Sequence, residues 1–164
     1  MKHKFEFLDK SKTIETLPKL FQILHSNMSV IAPTGNSYSE DERIFLENVA
    51  PALEKAPRQI VLMLANDEII GYFQYYTNAE LFMMEEIQLT DEYKGSGIFA
   101  ELYRMLLPIL PNGITKVEAF SNKSNLKSQA ILRHLGLEVI GENNNNYHFR
   151  GDFSKLYAHY LKNA

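Results

Sequence analysis

The sequence predicts a mixed α/β domain (α+β): a central, mostly antiparallel sheet with helices on both sides. Two observations carry this. Three β-rich runs, Gln59 to Leu64, Ile69 to Tyr76 and Phe82 to Leu89, follow one another with only short turns between them, the order of a meander rather than of alternating strand and helix. The third run then enters a glycine-rich turn and an amphipathic helix within LFMMEEIQLTDEYKGSGIFAELYRMLL, so sheet and helix meet at one point.

The elements follow in order. Phe5 to Leu8 reads as a first strand. Leu17, Leu20, Phe21 and Leu24 have helical spacing, and Pro18 suits only a first turn, so the helix is expected to start near Thr16. Asn27 to Tyr38, with Pro33, Gly35 and Asn36, reads as a loop. Ser39 followed by Glu42 has the form of a capping box for a second helix carrying Ile44, Phe45, Val49 and Leu53, which Pro51 should kink and Pro57 should stop. The acidic run from Ser39 to Glu42 suits a helix N-terminus better than it suits a site for a cationic substrate. Ala65-Asn66-Asp67-Glu68 is hairpin chemistry, and Thr77 to Glu80 makes a second turn. Tyr72, Phe73, Tyr75 and Tyr76 are read first as packing residues.

Beyond the central helix, Pro108, Pro111, Asn112 and Gly113 mark a stop, and Ile114 to Phe120 reads as another strand. A short helix with Ile131, Leu132 and Leu135 ends at Gly136. Val139, Ile140 and Tyr147 to Phe149 flank an asparagine-rich tip and make a final hairpin. Asp152 can cap a closing helix with Phe153, Leu156, Tyr157, Tyr160 and Leu161 on one face, which could cover the sheet or pair with a second copy as a homodimer.

Composition narrows the function. With 164 residues and no long linker, one domain spanning 1–164 is expected, large enough for a real core. A net charge of −3 gives no electrostatic footprint for nucleic acid. The absence of cysteine excludes disulfides, thiolate metal sites and a cysteine nucleophile. His3, His25, His134, His148 and His159 fall at no metal-ligand spacing, so no metal is expected. The first ten residues are charged and no apolar run reaches membrane-spanning length, so a cytoplasmic protein without a membrane partner is expected.

The chemistry concentrates at the glycine turn. Apolar residues recur at Ile98, Phe99, Leu102, Met105 and Leu106, so Gly95 and Gly97 stand where a helix begins. The first amides of a helix have no internal partner, and glycine lets phosphate oxygens approach them without meeting a Cβ. Gly95 to Ala100 also satisfies the dinucleotide fingerprint G-x-G-x-x-G/A, with Glu118 about twenty residues on. Context opposes that fingerprint, because Thr90 to Lys94 separate the strand from its first glycine.

The string Lys94-Gly95-Ser96-Gly97-Ile98-Phe99 resembles the cofactor motif of the GNAT superfamily, the acyl-CoA-dependent N-acetyltransferases, whose pattern is Gln/Arg-x-x-Gly-x-Gly/Ala after the fourth strand. Gly97 fits, Lys94 keeps the positive charge, and Phe99 departs, since the family has a small residue there. NLKSQAILRHLGLEVIG resembles the family's second motif: Asn125, Gly136 and Leu137 take the places of its asparagine, glycine and phenylalanine, Ser128 that of alanine, and Leu132 that of a tyrosine that protonates the leaving thiolate.

The resemblance implies a cofactor cleft between strands 4 and 5 and acetyl transfer from acetyl-CoA (coenzyme A) to a primary amine of a small molecule or peptide, by direct attack. Lys94, Gly95, Ser96, Gly97, Ile98 and Phe99 would hold the pyrophosphate through backbone N–H groups. Leu89 would pair its backbone with the pantetheine arm, and Asn125 would hold the fifth-strand side of the cleft. Glu85 and Glu86 are the candidate proton acceptors; they point to opposite faces of the strand, and Glu85 is preferred on spacing. Tyr103, Tyr147 and His134 are candidate substitutes for the missing tyrosine. Phe99 and Leu132 favour a second reading, a non-catalytic acyl-CoA sensor with the same fold.

Overall fold

The computed structural model describes residues 3–55 and 57–161. The chain order is β1 (Lys4–Phe7), α1 (Thr13–Ile31), α2 (Tyr38–Lys55), β2 (Gln59–Ala65), β3 (Glu68–Asn78), β4 (Leu81–Leu89), α3 (Ile98–Leu106), β5 (Lys116–Asn122), α4 (Leu126–His134), β6 (Glu138–Glu142), β7 (Asn146–Asp152) and α5 (Phe153–Leu161). The strands hydrogen-bond in the order β1-β2-β3-β4-β5-β7-β6. β1 with β2, β2 with β3, β5 with β7, and β6 with β7 are antiparallel. β4 and β5 are parallel, over four pairs from Leu81↔Lys116 to Met84↔Ala119. The expected mixed, mostly antiparallel sheet is present.

Contacts divide the chain into two compact units, Met1–Tyr75 with Glu86–Ser96, and Tyr76–Glu85 with Gly97–Ala164. In the first, Ile60, Leu62 and Leu64 alternate along β2 and meet Leu17 and Leu20 of α1, Leu53 of α2, and Tyr72 of β3. Phe21 of α1 packs edge-on against Tyr38, ring centroids 5.0 Å apart, and lies 5.3 Å from Phe45, fixing α1 against α2. Tyr72, Phe73 and Tyr75 are buried, as packing residues should be, and burial pushes the Tyr75 phenol up to about 12. Asn66 and Asp67 both have positive φ, 53° and 64°, the backbone of a two-residue hairpin turn.

Three boundaries differ from expectation. α1 starts at Thr13 rather than near Thr16, because a 3-10 turn at Lys10–Lys12, capped by Asp9 Oδ1 accepting from the Ser11 N–H at 3.0 Å, delivers the chain already coiled. Pro18 therefore lies inside the helix; Ile14, whose carbonyl it leaves without a donor, is exposed to water. The same helix continues through Ile31 and absorbs Asn27, at the start of the expected loop, since the Asn27 side chain is buried against β4. The cap of α2 is Ser37, not Ser39: the Glu40 N–H donates to Ser37 Oγ at 3.2 Å, while the Glu40 carboxylate turns to Arg43. α2 runs through Pro51 and ends two residues before Pro57.

In the second unit, α3 buries Ile98, Leu102, Tyr103 and Leu106. Tyr103 stacks on Tyr160 of α5, centroids 4.5 Å apart, and Phe82 of β4 meets Phe153 edge-on. The asparagine-rich tip is a turn held by one side chain, Asn143 Oδ1, which accepts from the N–H groups of Asn145 and Asn146 at 2.9 and 2.7 Å. Asp152 is the last residue of β7, directly before α5. Among the described residues no helix is long and apolar enough to cross a membrane, and no group of His, Asp and Glu could hold a metal ion.

Candidate functional site

The glycine turn has the geometry that its residues suggest. After Leu89 the chain makes a 3-10 turn at Asp91–Tyr93 and then reaches α3 through Gly95 and Gly97, at φ 79° and 83°. Side chains rarely adopt that conformation, which accounts for glycine at both positions. A Cβ on either would meet nothing within 4 Å, so the turn faces open space. Gly97 is the N-cap of α3, and the first bond of that helix runs from the Glu101 N–H to the Gly97 carbonyl at 3.2 Å. The amides of Gly97, Ile98, Phe99 and Ala100 are thereby the four that helix geometry leaves without an internal acceptor. Ile98 is buried and anchors the helix start, while Phe99 is half-buried.

Not every amide expected to bind is available. The Lys94 N–H donates to the Asp91 carbonyl and the Ser96 N–H to the Tyr93 carbonyl, both at 3.2 Å, so these two build the turn. The Lys94 ammonium is also engaged, 2.5 Å from Asp91 Oδ1 and 3.0 Å from Asn27 Oδ1.

Asn27 had not been singled out, and it organises the rest of this unit's polar interior. Its Nδ2 donates to Gln88 Oε1 and to the Leu89 carbonyl, both at 2.9 Å; Gln88 Nε2 in turn donates to Glu86 Oε1 at 2.6 Å. Asn27 and Gln88 are buried, so these bonds satisfy groups that water cannot reach. The Thr90 N–H donates to Ile70 of β3 at 2.9 Å. Across a trans peptide the Leu89 carbonyl must then point away from β3, where Asn27 takes it. Glu86 is thus part of a structural network, and its negative charge, after desolvation, helps raise the buried Tyr72 phenol. The signal in the sequence was faint: a lone polar residue on the stripe that carries Leu20, Phe21 and Leu24.

A second cluster lies in the other unit. Glu118 of β5 is paired across the β5–β7 ladder with Arg150, and Phe120 with His148. The buried Glu118 carboxylate accepts from Arg150 Nε and Nη2, at 3.2 and 3.1 Å, and makes a very short contact with His148 Nε2. That commitment, within a mostly antiparallel sheet, removes Glu118 as the ribose ligand of a dinucleotide fold. Glu85, half-buried, follows directly on Met84, which closes the β4–β5 ladder.

The remaining candidates fall apart by position. Asn125 is the N-cap of α4, its Oδ1 accepting from the Ser128 N–H at 3.1 Å. Leu132 is buried on α4. Tyr103 is buried with its hydroxyl 3.5 Å from Met84 Sδ, and burial raises its pKa. His134 is exposed, edge-on to His159, and Tyr147 lies under the Lys123 ammonium, 5.3 Å from the ring centroid.

No protein-family model matches the sequence, and no curated protein matches it either. Solved structures do. The chain is similar to a PaiA N-acetyltransferase from Thermoplasma acidophilum in complex with coenzyme A, with 13% identity and a TM-score of 0.69 over 93% of this chain and 99% of that one. An acetyltransferase from Streptococcus agalactiae gives 10% identity and a TM-score of 0.71 over 93% and 99% of the two chains. Mutant forms of a spermidine/spermine N-acetyltransferase from Vibrio cholerae give 14% and 0.61 over 96% and 98%. At such identities the likeness establishes the fold, and the fold is that of the GNAT acetyltransferases.

Proposed function

We propose that this protein transfers an acetyl group from acetyl-CoA to a primary amine. The observation that carries the reading is the set of amides from Gly97 to Ala100, unpartnered by the helix and opened to solvent by two glycines of positive φ, in a fold shared with a coenzyme A-bound acetyltransferase. These amides would take the diphosphate. Lys94 would add charge after leaving Asp91, and Gly95 would keep the approach clear. The Leu89 backbone would hold the pantetheine arm in competition with Asn27, whereas Asn125 would serve indirectly, by fixing the start of α4.

Transfer by direct attack needs no enzyme nucleophile. It does need a free amine, and at pH 7 only about one alkyl amine in 2,500 is unprotonated, given a pKa near 10.4. Proton acceptors therefore help, and of the two β4 carboxylates Glu85 is favoured by its place directly after the last pair of the β4–β5 ladder. Leu132 supplies no proton to the departing thiolate, but a thiol of pKa near 8.5 leaves tolerably without one. Leu132 and the clamped Lys94 are the observations behind the second reading, a coenzyme A-binding module without turnover.

Thermal melts with acetyl-CoA, coenzyme A and NAD test the binding. A ligand at a hundred times its Kd adds about 2.7 kcal/mol, so the first two should raise the melting temperature by roughly 5–10 °C and NAD by none. Thiol release is then followed with spermidine, phenethylamine, octylamine and a lysine peptide, each product being weighed for one added acetyl group. No thermal response to coenzyme A contradicts both readings; a response without turnover on a broader amine panel favours the module.

A further inference from the structure

The cluster around Glu118 has no part in the account above, and its construction is that of an oriented base. The Glu118 side chain is only 8% exposed, yet its carboxylate is balanced by two partners on β7, Arg150 and His148. The His148 ring is fixed twice. Its Nε2 is held by Glu118, and its face is stacked on Phe120, with centroids 4.3 Å apart and planes 14° from parallel. With the ring proton on Nε2, the lone pair of the neutral imidazole lies on Nδ1, and 26% of the side-chain surface remains open. A buried carboxylate behind a partly open imidazole is the arrangement that holds a base in one tautomer and one orientation.

Its position is the second observation. β5 has a strand on each side, yet Phe120 is 49% exposed. The parallel ladder that covers β5 on the β4 side runs to Met84↔Ala119, and Phe120 is the next residue of β5 as Glu85 is the next of β4. Met83 is opposite Glu118, so strand alternation puts Glu85 on the face that carries Glu118, Phe120 and His148. An imidazole and a carboxylate thus stand on either side of one exposed aromatic ring.

We infer that His148, oriented by Glu118, takes the proton from the ammonium form of the acceptor amine; this rests on the acetyl-transfer reading above. Between ammonium and amide the nitrogen gives up two protons, and the two bases take one each. Imidazole takes the first, giving the neutral amine and an imidazolium facing Glu118. The amine lone pair forms the C–N bond, and the C–S bond breaks with its electron pair going to sulfur. The nitrogen, now bonded to the acyl carbon and strongly acidic, yields its second proton to Glu85. Both bases return their protons to water.

The test uses the full chain, acetyl-CoA, and whichever amine of the panel turns over fastest. His148→Gln should keep the thermal response to coenzyme A and a KM for acetyl-CoA within twofold of the starting protein, while kcat falls by roughly 100-fold. Added imidazole should restore part of the rate of His148→Ala and leave the unmodified protein unchanged, a response that a structural role would not give. Glu118→Gln, which keeps a hydrogen-bonding partner for the ring, should lose about tenfold in kcat. A His148→Gln protein with kcat within threefold of the parent overturns the assignment, and so does a loss in His148→Ala that imidazole does not relieve. Failure of the parent protein itself to respond to coenzyme A would instead remove the reading underneath.

Discussion

Gly97→Trp should abolish the response to coenzyme A while the chain still folds. Gly97 caps α3 at φ 83°, and a Cβ there meets nothing within 4 Å. The indole therefore enters open space and causes no core clash; it stands in front of the amides of Ile98 and Phe99. The folded state loses about 1–2 kcal/mol to the left-handed conformation, which lowers the melting temperature by several degrees at most. Binding should lose much more, at least 100-fold in Kd by calorimetry, because the diphosphate can no longer reach the helix end. Unchanged affinity in the variant would place the nucleotide elsewhere.

Gly71→Ala is expected to be strongly destabilising. A Cβ at this β3 position would lie 2.5 Å from the Gln88 carbonyl oxygen, 3.0 Å from Leu89 Cδ1 and 3.1 Å from Met63 Sδ. The leucine and methionine tips can move. The Gln88 carbonyl is backbone, so relief requires β4 to shift, and that shift also disturbs the two bonds that Asn27 makes to Gln88 and Leu89. Overpacking of this kind costs about 3 kcal/mol. In urea the midpoint should fall by roughly 1–2 M with little change in slope, and coenzyme A affinity should fall with it if Leu89 holds the pantetheine arm. A midpoint within experimental error of the parent would mean that β3 and β4 are not so closely apposed.

What could be read from the sequence was what is local in the chain. The hairpin at Asn66 and Asp67 and the helix start at Gly97 each depend on residues within one turn of each other, and both are where they were expected. The error at the end of α1 arose where a tertiary partner outweighed a local signal: Asn27 looks like a loop residue until Gln88, 61 positions away, gives its amide a buried partner. Glu118 and His148 are separated by 30 positions and joined only by the β5–β7 register, which no spacing in the sequence encodes. The glycines of the turn and the helix start that follows them were legible because a positive φ and a helix N-terminus are properties of the local backbone. Lys94 was legible only as a charge, and its engagement by Asp91 and Asn27 required the fold.

Amide hydrogens at the start of α3 are proposed to grip the diphosphate of an acyl-CoA. A crystal structure of the protein grown in excess acetyl-CoA tests this most directly. Diphosphate oxygens should then lie within hydrogen-bonding distance of the N–H groups between Gly97 and Ala100, with the Lys94 ammonium released from Asp91. A helix start closed by the Phe99 ring, with acetyl-CoA absent or bound at another surface, would contradict it.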